Sequence, residues 1–188
     1  MNVVRYSGSR TTSDIQDNQT WIFGYGSLIW NPDFKYVEQR IARIFGYHRA
    51  LCIYSHHYRG TPDKPGLVFG LDKGGSCNGI AFRIRKDEKA EIFAKLHERE
   101  MPTKVYTPTW LSVCTGSARV RAYGFVADRQ HEQYVTGLSE DEIIFLIRQG
   151  KGSAGTCVEY VRKTLDQLAA FGIKEKRLRS FLKKSLFV

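Results

Sequence analysis

The stretch WIFGYGSLIW, residues 21–30, places two glycines around Tyr25 between bulky apolar flanks. The flanks favour a buried strand, whereas Gly24 and Gly26 leave the backbone without shielding side chains. Successive N–H groups of such a loop can converge on a carboxylate, a phosphate or a developing oxyanion, and the Ser27 hydroxyl adds a donor. A β-bulge or a tight barrel corner requires the same glycines for geometry alone, so the loop leaves both interpretations open.

Outward from this loop, the chain contains strand-like runs separated by turn signals. Val, Ile and aromatic residues are concentrated between clusters of Gly, Pro and Asp, and the short spacing predicts an antiparallel barrel or a strongly curled sheet. The predicted strands cover residues 21–28, 36–55, 66–71, 78–85, 106–115 and 119–128.

Helical patterns enter after the fourth of these strands. The predicted helices cover residues 87–100, 139–150, 156–172 and about 175–186. Ser139 with Glu142, and Thr156 with Glu159, have the spacing of a capping box. Strands in the first two thirds and helices mainly afterwards indicate an α+β fold.

Length and composition are those of one globular domain. The 188 residues are 42% apolar and 26% charged, and we expect a polar, loosely ordered leader over residues 1–19 and one domain over 20–188. No apolar run approaches the ~20 residues of a membrane-spanning helix, and the leader lacks a secretory apolar core, which predicts a cytoplasmic protein without a membrane partner. The cysteines have no CxxC spacing and predict reduced core thiols. They are Cys52, Cys77, Cys114 and Cys157.

The formal charge of +10 would attract nucleic acid, an acidic membrane or an anionic small substrate, and does not choose among them. Much of this charge lies in KEKRLRSFLKK, residues 174–184. Basic helices with an apolar stripe more often pack on one side and face solvent on the other. We therefore expect no nucleic-acid partner.

Glu100 is the strongest candidate for acid–base chemistry. On the predicted helix, Phe93, Leu96 and Glu100 share one face, whereas Glu98 lies ~200° around the axis from Glu100. Apolar surroundings and the negative end of the helix dipole both raise the pKa of a carboxyl group, as a general base requires. The alternative is that Glu100 lies past the last helical turn and pairs with Arg99 or another cation.

The other polar candidates have weaker patterns. His56 and His57 have no second cluster at metal-site spacing, so we expect no metal. Arg59, beside turn residues 60–62, could clamp a substrate carboxylate or only stabilise the turn. The GxGxxG motif at 150–155 follows a predicted helix instead of a strand, so we expect no dinucleotide cofactor.

Four blocks, in this order, carry a resemblance to a known family. They read FGYGSLIWNPDF (23–34), YRGTPDKPGLVFGL (58–71), HEREMPTKVYTPTW (97–110) and GSAGTCVEYV (152–161). The chain resembles the ChaC-like family of glutathione-specific gamma-glutamylcyclotransferases, and its bacterial branch in particular, over nearly everything after the leader. The resemblance implies an α+β fold in which a small, mostly antiparallel β-barrel is flanked by helices, without a cofactor.

The resemblance also implies a substrate and a site. The family cyclises the gamma-glutamyl group of glutathione to 5-oxoproline and releases cysteinylglycine. Its catalytic glutamate falls on Glu100, and Tyr106 and Tyr160 are further carry-overs. Its gamma-glutamyl loop falls on Ile22, Phe23, Gly24, Tyr25, Gly26, Ser27 and Leu28. Animal members carry a Gly-Gly-Tyr stretch after the glutamate, where this chain reads MPTKVY.

Two alternatives to a glutathione-specific enzyme stay open at this point. One is a cyclotransferase that prefers other gamma-glutamyl amides. The other is a non-enzymatic binding module that uses the basic surface.

Overall fold

The structure, a computed structural model, describes residues 19–116 and 118–187. Within these stretches five strands form a closed barrel, and four α-helices, a short 3-10 helix (Ser27–Ile29) in the loop after β1 and a small hairpin complete the fold. The barrel strands are β1 (Thr20–Gly24), β2 (Glu38–Ser55), β3 (Gly66–Ile84), β4 (Tyr106–Cys114) and β5 (Arg119–Ala127). The other elements are α1 (Lys89–Glu100), α2 (Glu140–Gln149), β6 (Lys151–Gly152), β7 (Gly155–Thr156), α3 (Cys157–Ala170) and α4 (Lys176–Leu186). The α+β class and the helix-flanked barrel are therefore confirmed.

The barrel closes through a short parallel pairing. Its strand order is β1-β3-β2-β4-β5, and each neighbouring pair runs antiparallel except β1 with β5. In that pair Trp21 lies opposite Ala122 and Ile22 lies opposite Tyr123. The closure brings the loop after β1 next to the second half of β5.

Strand β3 corrects one prediction from the sequence. Residues 66–71 and 78–85 were predicted as separate strands, but they belong to one strand that pairs with β2 along most of its length. Gly74 and Gly75 have φ values of +100° and +70°, which glycine adopts without a steric penalty. They bend the ribbon without reversing the chain, so the glycine-rich segment between the two runs is not a turn between strands.

Two helices begin at caps that the sequence predicts. At α2 the Ser139 side chain accepts from the Glu142 N–H and the Glu142 carboxylate accepts in return, so this capping box is confirmed. At α3 the Thr156 hydroxyl accepts from the Glu159 N–H. The Glu159 carboxylate pairs instead with Lys163 at 2.7 Å. The second capping box is therefore only half formed.

All four cysteines are free thiols, as predicted, with Cys52, Cys77 and Cys157 buried and Cys114 partly buried. Over the part of the chain that the structure describes, no helix is long and apolar enough to cross a membrane. The predicted leader, residues 1–19, lies outside the described residues except for Gln19.

Candidate active site

A small cavity lies between the loop after β1 and residues of β3, β4, β5, α1 and α3. Its volume is about 30 Å³, which is room for two water-sized groups. The lining residues are Tyr25, Gly26, Ser27, Leu28, Phe69, Glu100, Tyr106, Phe125 and Tyr160. All of them except Phe69 and Phe125 are candidates from the sequence, so residues far apart in the chain meet at one place.

Glu100 is the last residue of α1 and supplies the carboxyl group of the cavity. Leu96 is buried and Glu98 is exposed, in agreement with the predicted helix phase. The Glu100 side chain is 18% exposed, and its buried Oε1 accepts no hydrogen bond, although Arg99 Nε lies 3.1 Å away. Burial raises the pKa of Glu100, and the nearby Arg99 charge only partly opposes this effect. The environment therefore favours a carboxyl group that can both accept and return a proton.

Three buried tyrosines surround this carboxyl group. Burial raises the pKa values of Tyr25, Tyr106 and Tyr160, and the nearby Glu100 charge acts in the same direction. Their hydroxyl groups therefore stay protonated, and each can act as a hydrogen-bond donor. Among the described residues, neither Tyr25 nor Tyr160 has an acceptor for its hydroxyl proton.

Phe69 on β3 holds two of these tyrosines through its backbone. Tyr106 Oη donates to the Phe69 carbonyl at 2.9 Å, and Tyr160 Oη accepts from the Phe69 N–H at 3.1 Å. One residue of the barrel wall therefore fixes two hydroxyl groups that come from β4 and α3. Sequence reasoning missed Phe69, although it belongs to the block GLVFGL, because backbone contacts of this kind leave no mark on side-chain patterns.

The loop that lines the cavity has unpaired backbone donors. The N–H groups of Gly26, Ser27 and Leu28 have no acceptor among the described residues. A Cβ on Gly26 would lie 3.1 Å from Tyr160 Oη, so the missing side chain lets that hydroxyl approach the loop. The loop therefore combines a close approach of α3 with donors suited to a carboxylate or an oxyanion.

Arg99 ties the loop to the end of α1. Its Nη2 donates to Ser27 Oγ at 2.9 Å, and its Nη1 donates to the Asn31 carbonyl at 2.7 Å. Because the Ser27 hydroxyl accepts from Arg99, its own proton remains able to point elsewhere. The sequence marked Arg99 only as a possible partner of Glu100, whereas the structure shows that it also bridges two parts of the site.

Several other predicted site residues lie outside the lining of the cavity. Ile22, Phe23 and Gly24 are buried in β1 and lead into the loop. The Arg59 guanidinium lies 5.4 Å from the centre of the Tyr160 ring and donates to the Thr156 carbonyl at 3.3 Å. Arg59 therefore contacts the lining residue Tyr160 but does not line the cavity itself. A direct role for it in substrate binding stays a prediction.

The glycines of the GxGxxG motif have a packing role. Gly150 and Gly152 contact the backbone of residues 57–60 so closely that a Cβ on either would overlap it. Gly155 has a φ of +104° in the β6–β7 hairpin. For metals, no group of three or more His, Cys, Asp or Glu residues within 19–116 and 118–187 could hold an ion.

A larger but open depression of about 480 Å³ lies elsewhere on the barrel, where β2 approaches the end of β4. Its lining includes Arg40, Arg43 and the partly buried Cys114, and none of its residues is a carboxylic acid. Because it contains none of the candidate residues and no general base, the smaller cavity is the better candidate for a reaction.

Comparison with known proteins gives relatives along most of the chain. The glutathione-specific gamma-glutamylcyclotransferase of Escherichia coli K12 is 33% identical over 167 residues, which cover 88% of this chain and 72% of that protein. The glutathione-specific gamma-glutamylcyclotransferase 1 of Rattus norvegicus is 31% identical over 157 residues, which cover 81% and 71% of the two chains.

A solved structure supports the fold independently. The crystal structure of a gamma-glutamyl cyclotransferase specific to glutathione from yeast matches with a TM-score of 0.81 and 21% identity, over 90% of this chain and 96% of that one. The model of the ChaC-like protein family matches residues 20–185. With the family model matching nearly all of the described residues, the chain belongs to the ChaC-like family.

Proposed function

We propose that this protein converts glutathione to 5-oxoproline and cysteinylglycine. The observation that carries the proposal is the pairing of a buried carboxyl group of raised pKa, Glu100, with the unpaired N–H groups of the loop at one cavity. A base and a set of backbone donors are what an internal acyl transfer needs. The names of the relatives support glutathione as the substrate.

The reaction is an attack of one part of the substrate on another. The α-amine of the gamma-glutamyl group adds to its own γ-carbonyl carbon, and the C–N bond to the cysteinyl nitrogen then breaks. Holding the chain in a curled conformation supplies much of the rate as effective molarity. The loop and the hydroxyl groups of Tyr25, Tyr106 and Tyr160 are placed to hold the gamma-glutamyl group in this way. The cavity has room for only a few atoms of the gamma-glutamyl group, so the rest of glutathione, including its cysteinylglycine part, lies at the mouth of the cavity.

Glu100 moves the proton in this scheme. The α-amine is mostly protonated at neutral pH, and only the neutral amine is a nucleophile. The Glu100 carboxylate accepts the ammonium proton and later donates it to the departing cysteinyl nitrogen. The second proton that the attacking nitrogen loses as the lactam forms ends on the same product amine, so no proton is gained or lost overall. The raised pKa brings its affinity for protons closer to that of the groups with which it exchanges them.

The oxyanion of the tetrahedral intermediate needs donors that are already in place. Among the described residues around the cavity, the available donors are the N–H groups of Gly26, Ser27 and Leu28 and the hydroxyl protons of Tyr25, Ser27 and Tyr160. Preorganised donors of this kind stabilise the transition state without rearranging during the reaction. We assign part of this set to the oxyanion and part to the substrate α-carboxylate.

The test is an assay of 5-oxoproline formed by the purified protein from glutathione and, in parallel, from gamma-glutamyl-alanine. We expect a strong preference for glutathione. Comparable kcat/KM values would favour the broader gamma-glutamyl amide cyclotransferase. No product from either substrate, together with salt-dependent binding of nucleic acid, would favour the binding module. A cytoplasmic location belongs to the same proposal and is supported by the free thiols.

Ser27→Ala should reduce turnover only in part. The variant loses the hydroxyl that accepts from Arg99 but keeps the loop backbone and Glu100. A hydrogen bond of this kind is worth about 1 kcal/mol, which corresponds to a decrease in kcat/KM of roughly fivefold. Steady-state kinetics of the folded variant provide the measurement. Complete loss of turnover would instead make Ser27 a group that takes part in the chemical step.

A further inference from the structure

A buried arginine that the proposed reaction does not use lies beneath the loop. Arg49, on β2, has a side chain only 1% exposed. Its Nε donates to the Tyr25 carbonyl at 2.6 Å, its Nη2 donates to the Asn78 carbonyl at 2.6 Å, and its Nη1 pairs with the Glu175 carboxylate. One guanidinium group therefore connects the loop after β1, strand β3 and the residue before α4.

Burying a guanidinium group is costly unless its donors are satisfied. Apolar side chains could fill the same space at a lower desolvation cost. The presence of an arginine therefore needs a reason other than packing. A guanidinium group spreads its N–H donors over three nitrogen atoms in one rigid plane, and so it holds three acceptors in fixed positions. The acceptor that matters for the cavity is the Tyr25 carbonyl, because Tyr25 and the next residue, Gly26, both line it.

The geometry of the peptide bond links that carbonyl to the cavity. The Tyr25 C=O and the Gly26 N–H belong to one planar unit, and no peptide bond in the described residues is cis. In a trans unit the two groups point in opposite directions. When Arg49 holds the carbonyl on its own side, the Gly26 N–H must therefore face away from Arg49. Arg49 itself is not among the residues that line the cavity.

We propose, on the basis of the proposed function, that Arg49 is a positioning residue that turns the Gly26 N–H toward the substrate. Glu175 supports Arg49 in this role, because its carboxylate neutralises the buried charge and fixes the direction of the guanidinium group. The segment that begins α4 thereby supports the loop, although α4 contributes no residue to the lining of the cavity. Arg49 and Glu175 act through the loop backbone and do not touch the substrate.

The test compares Arg49→Lys with Arg148→Lys. A lysine ammonium has three N–H donors, but they share one freely rotating nitrogen and cannot reproduce the three fixed donor positions of the guanidinium group, so the Tyr25–Gly26 peptide gains freedom to rotate. We expect kcat/KM for glutathione to decrease by about 10- to 100-fold in Arg49→Lys. The shape of its pH–rate profile should stay that of the parent, because Glu100 is unchanged. Glu175→Gln keeps an acceptor but loses the charge, and it should show a smaller decrease in the same direction.

Arg148 is the matched control because it also donates to backbone carbonyls. Its guanidinium group donates to the backbone carbonyls of Lys184, Ser185 and Phe187, at the C-terminal end of α4. Arg148→Lys should lower the melting temperature while kcat/KM of the folded protein stays that of the parent. A role of Arg49 in stability alone predicts the same pattern for Arg49→Lys, and that result would overturn the inference. If Arg49→Lys does not fold, Glu175→Gln decides by the same comparison.

Failure of this inference is distinguishable from failure of the proposed function. A parent protein that forms 5-oxoproline while both Arg49→Lys and Glu175→Gln retain its kcat/KM contradicts only the positioning role. A parent protein that forms no 5-oxoproline from any gamma-glutamyl substrate contradicts the proposed function itself.

Discussion

Glu100→Gln should lower the turnover of glutathione by about 10²–10⁴-fold while the protein stays folded. Glutamine keeps the size of the side chain and its hydrogen-bonding capacity, but it cannot take the ammonium proton of the substrate. Binding should largely persist, because the loop and the tyrosines that hold the gamma-glutamyl group are unchanged. The measurements are 5-oxoproline formation and glutathione affinity for the same preparation.

Glu98→Gln is the control for this variant, because Glu98 lies two residues away on the same helix and is exposed. Its kcat should stay near that of the parent. If Glu100→Gln folds, binds glutathione and still turns it over at the parent's rate, Glu100 is not the base. If Glu98→Gln is the inactive variant, the base has been assigned to the wrong face of α1.

The raised pKa of Glu100 also sets the direction of two pH effects. Because the base must be ionised, kcat/KM should decrease as pH falls through this raised pKa. For stability, a carboxyl group whose pKa is raised on folding ionises more readily in the unfolded state, so folding free energy is lost as pH rises through the raised value. Glutamine does not ionise, so Glu100→Gln does not lose this folding free energy as the pH rises. Its melting temperature should exceed that of the parent above the raised pKa, and the difference should vanish below the ordinary pKa of glutamate.

Gly26→Ala should reduce kcat/KM by about 10²-fold, the cost of displacing reacting groups by ~1 Å. The new methyl group would lie 3.1 Å from Tyr160 Oη and 3.7 Å from the Cβ of Phe69, so the hydroxyl or the loop must shift. It would also occupy much of a cavity of only about 30 Å³. Both effects displace donors that face the gamma-glutamyl group. Steady-state kinetics and thermal unfolding of the variant provide the measurement.

Gly46→Ala separates a local effect from a general cost of replacing glycine. Gly46 has a φ of +84°, and a Cβ there would meet no atom within 4 Å. The substitution forces alanine into a left-handed conformation and should cost about 1–2 kcal/mol of stability. Turnover by the folded protein should be unaffected, because Gly46 does not line the cavity. Equal kinetic losses in the two variants would show that the cavity is not sensitive to Gly26 in particular.

The sequence predicts those parts of the site that local patterns record. Helix periodicity places Glu100 on the buried side of α1, and paired glycines mark the loop whose N–H groups have no acceptor among the described residues. Capping spacing likewise predicts the start of α2. The roles assigned to these residues remain predictions, since the structure gives their positions and not their contributions to turnover.

Other features depend on contacts between distant parts of the chain. Arg49 lies in a strand-like run, and nothing local shows that its guanidinium group reaches Tyr25 and Glu175. Phe69 acts through its backbone, which has the same chemistry in every residue except proline. The segment around Gly74 has the composition of a turn, but Lys73 and Ser76 on either side of the two glycines pair with β2, which keeps the segment within one strand. In each case the local sequence is compatible with more than one structure, and contacts with distant residues determine which one forms.

The parallel pairing that closes the barrel has a consequence for assembly of the enzyme. It joins residues 21–22 to residues 122–123, about a hundred positions apart, and antiparallel neighbours can form without it. Closing so long a loop has a large entropic cost, so we expect this pairing to form late in folding. Before β1 pairs with β5, the loop after β1 is not fixed beside Phe125. The cavity at Glu100 is then incomplete and cannot hold the substrate. The rate at which turnover recovers during refolding should therefore report the rate of barrel closure. Secondary structure should return before turnover does.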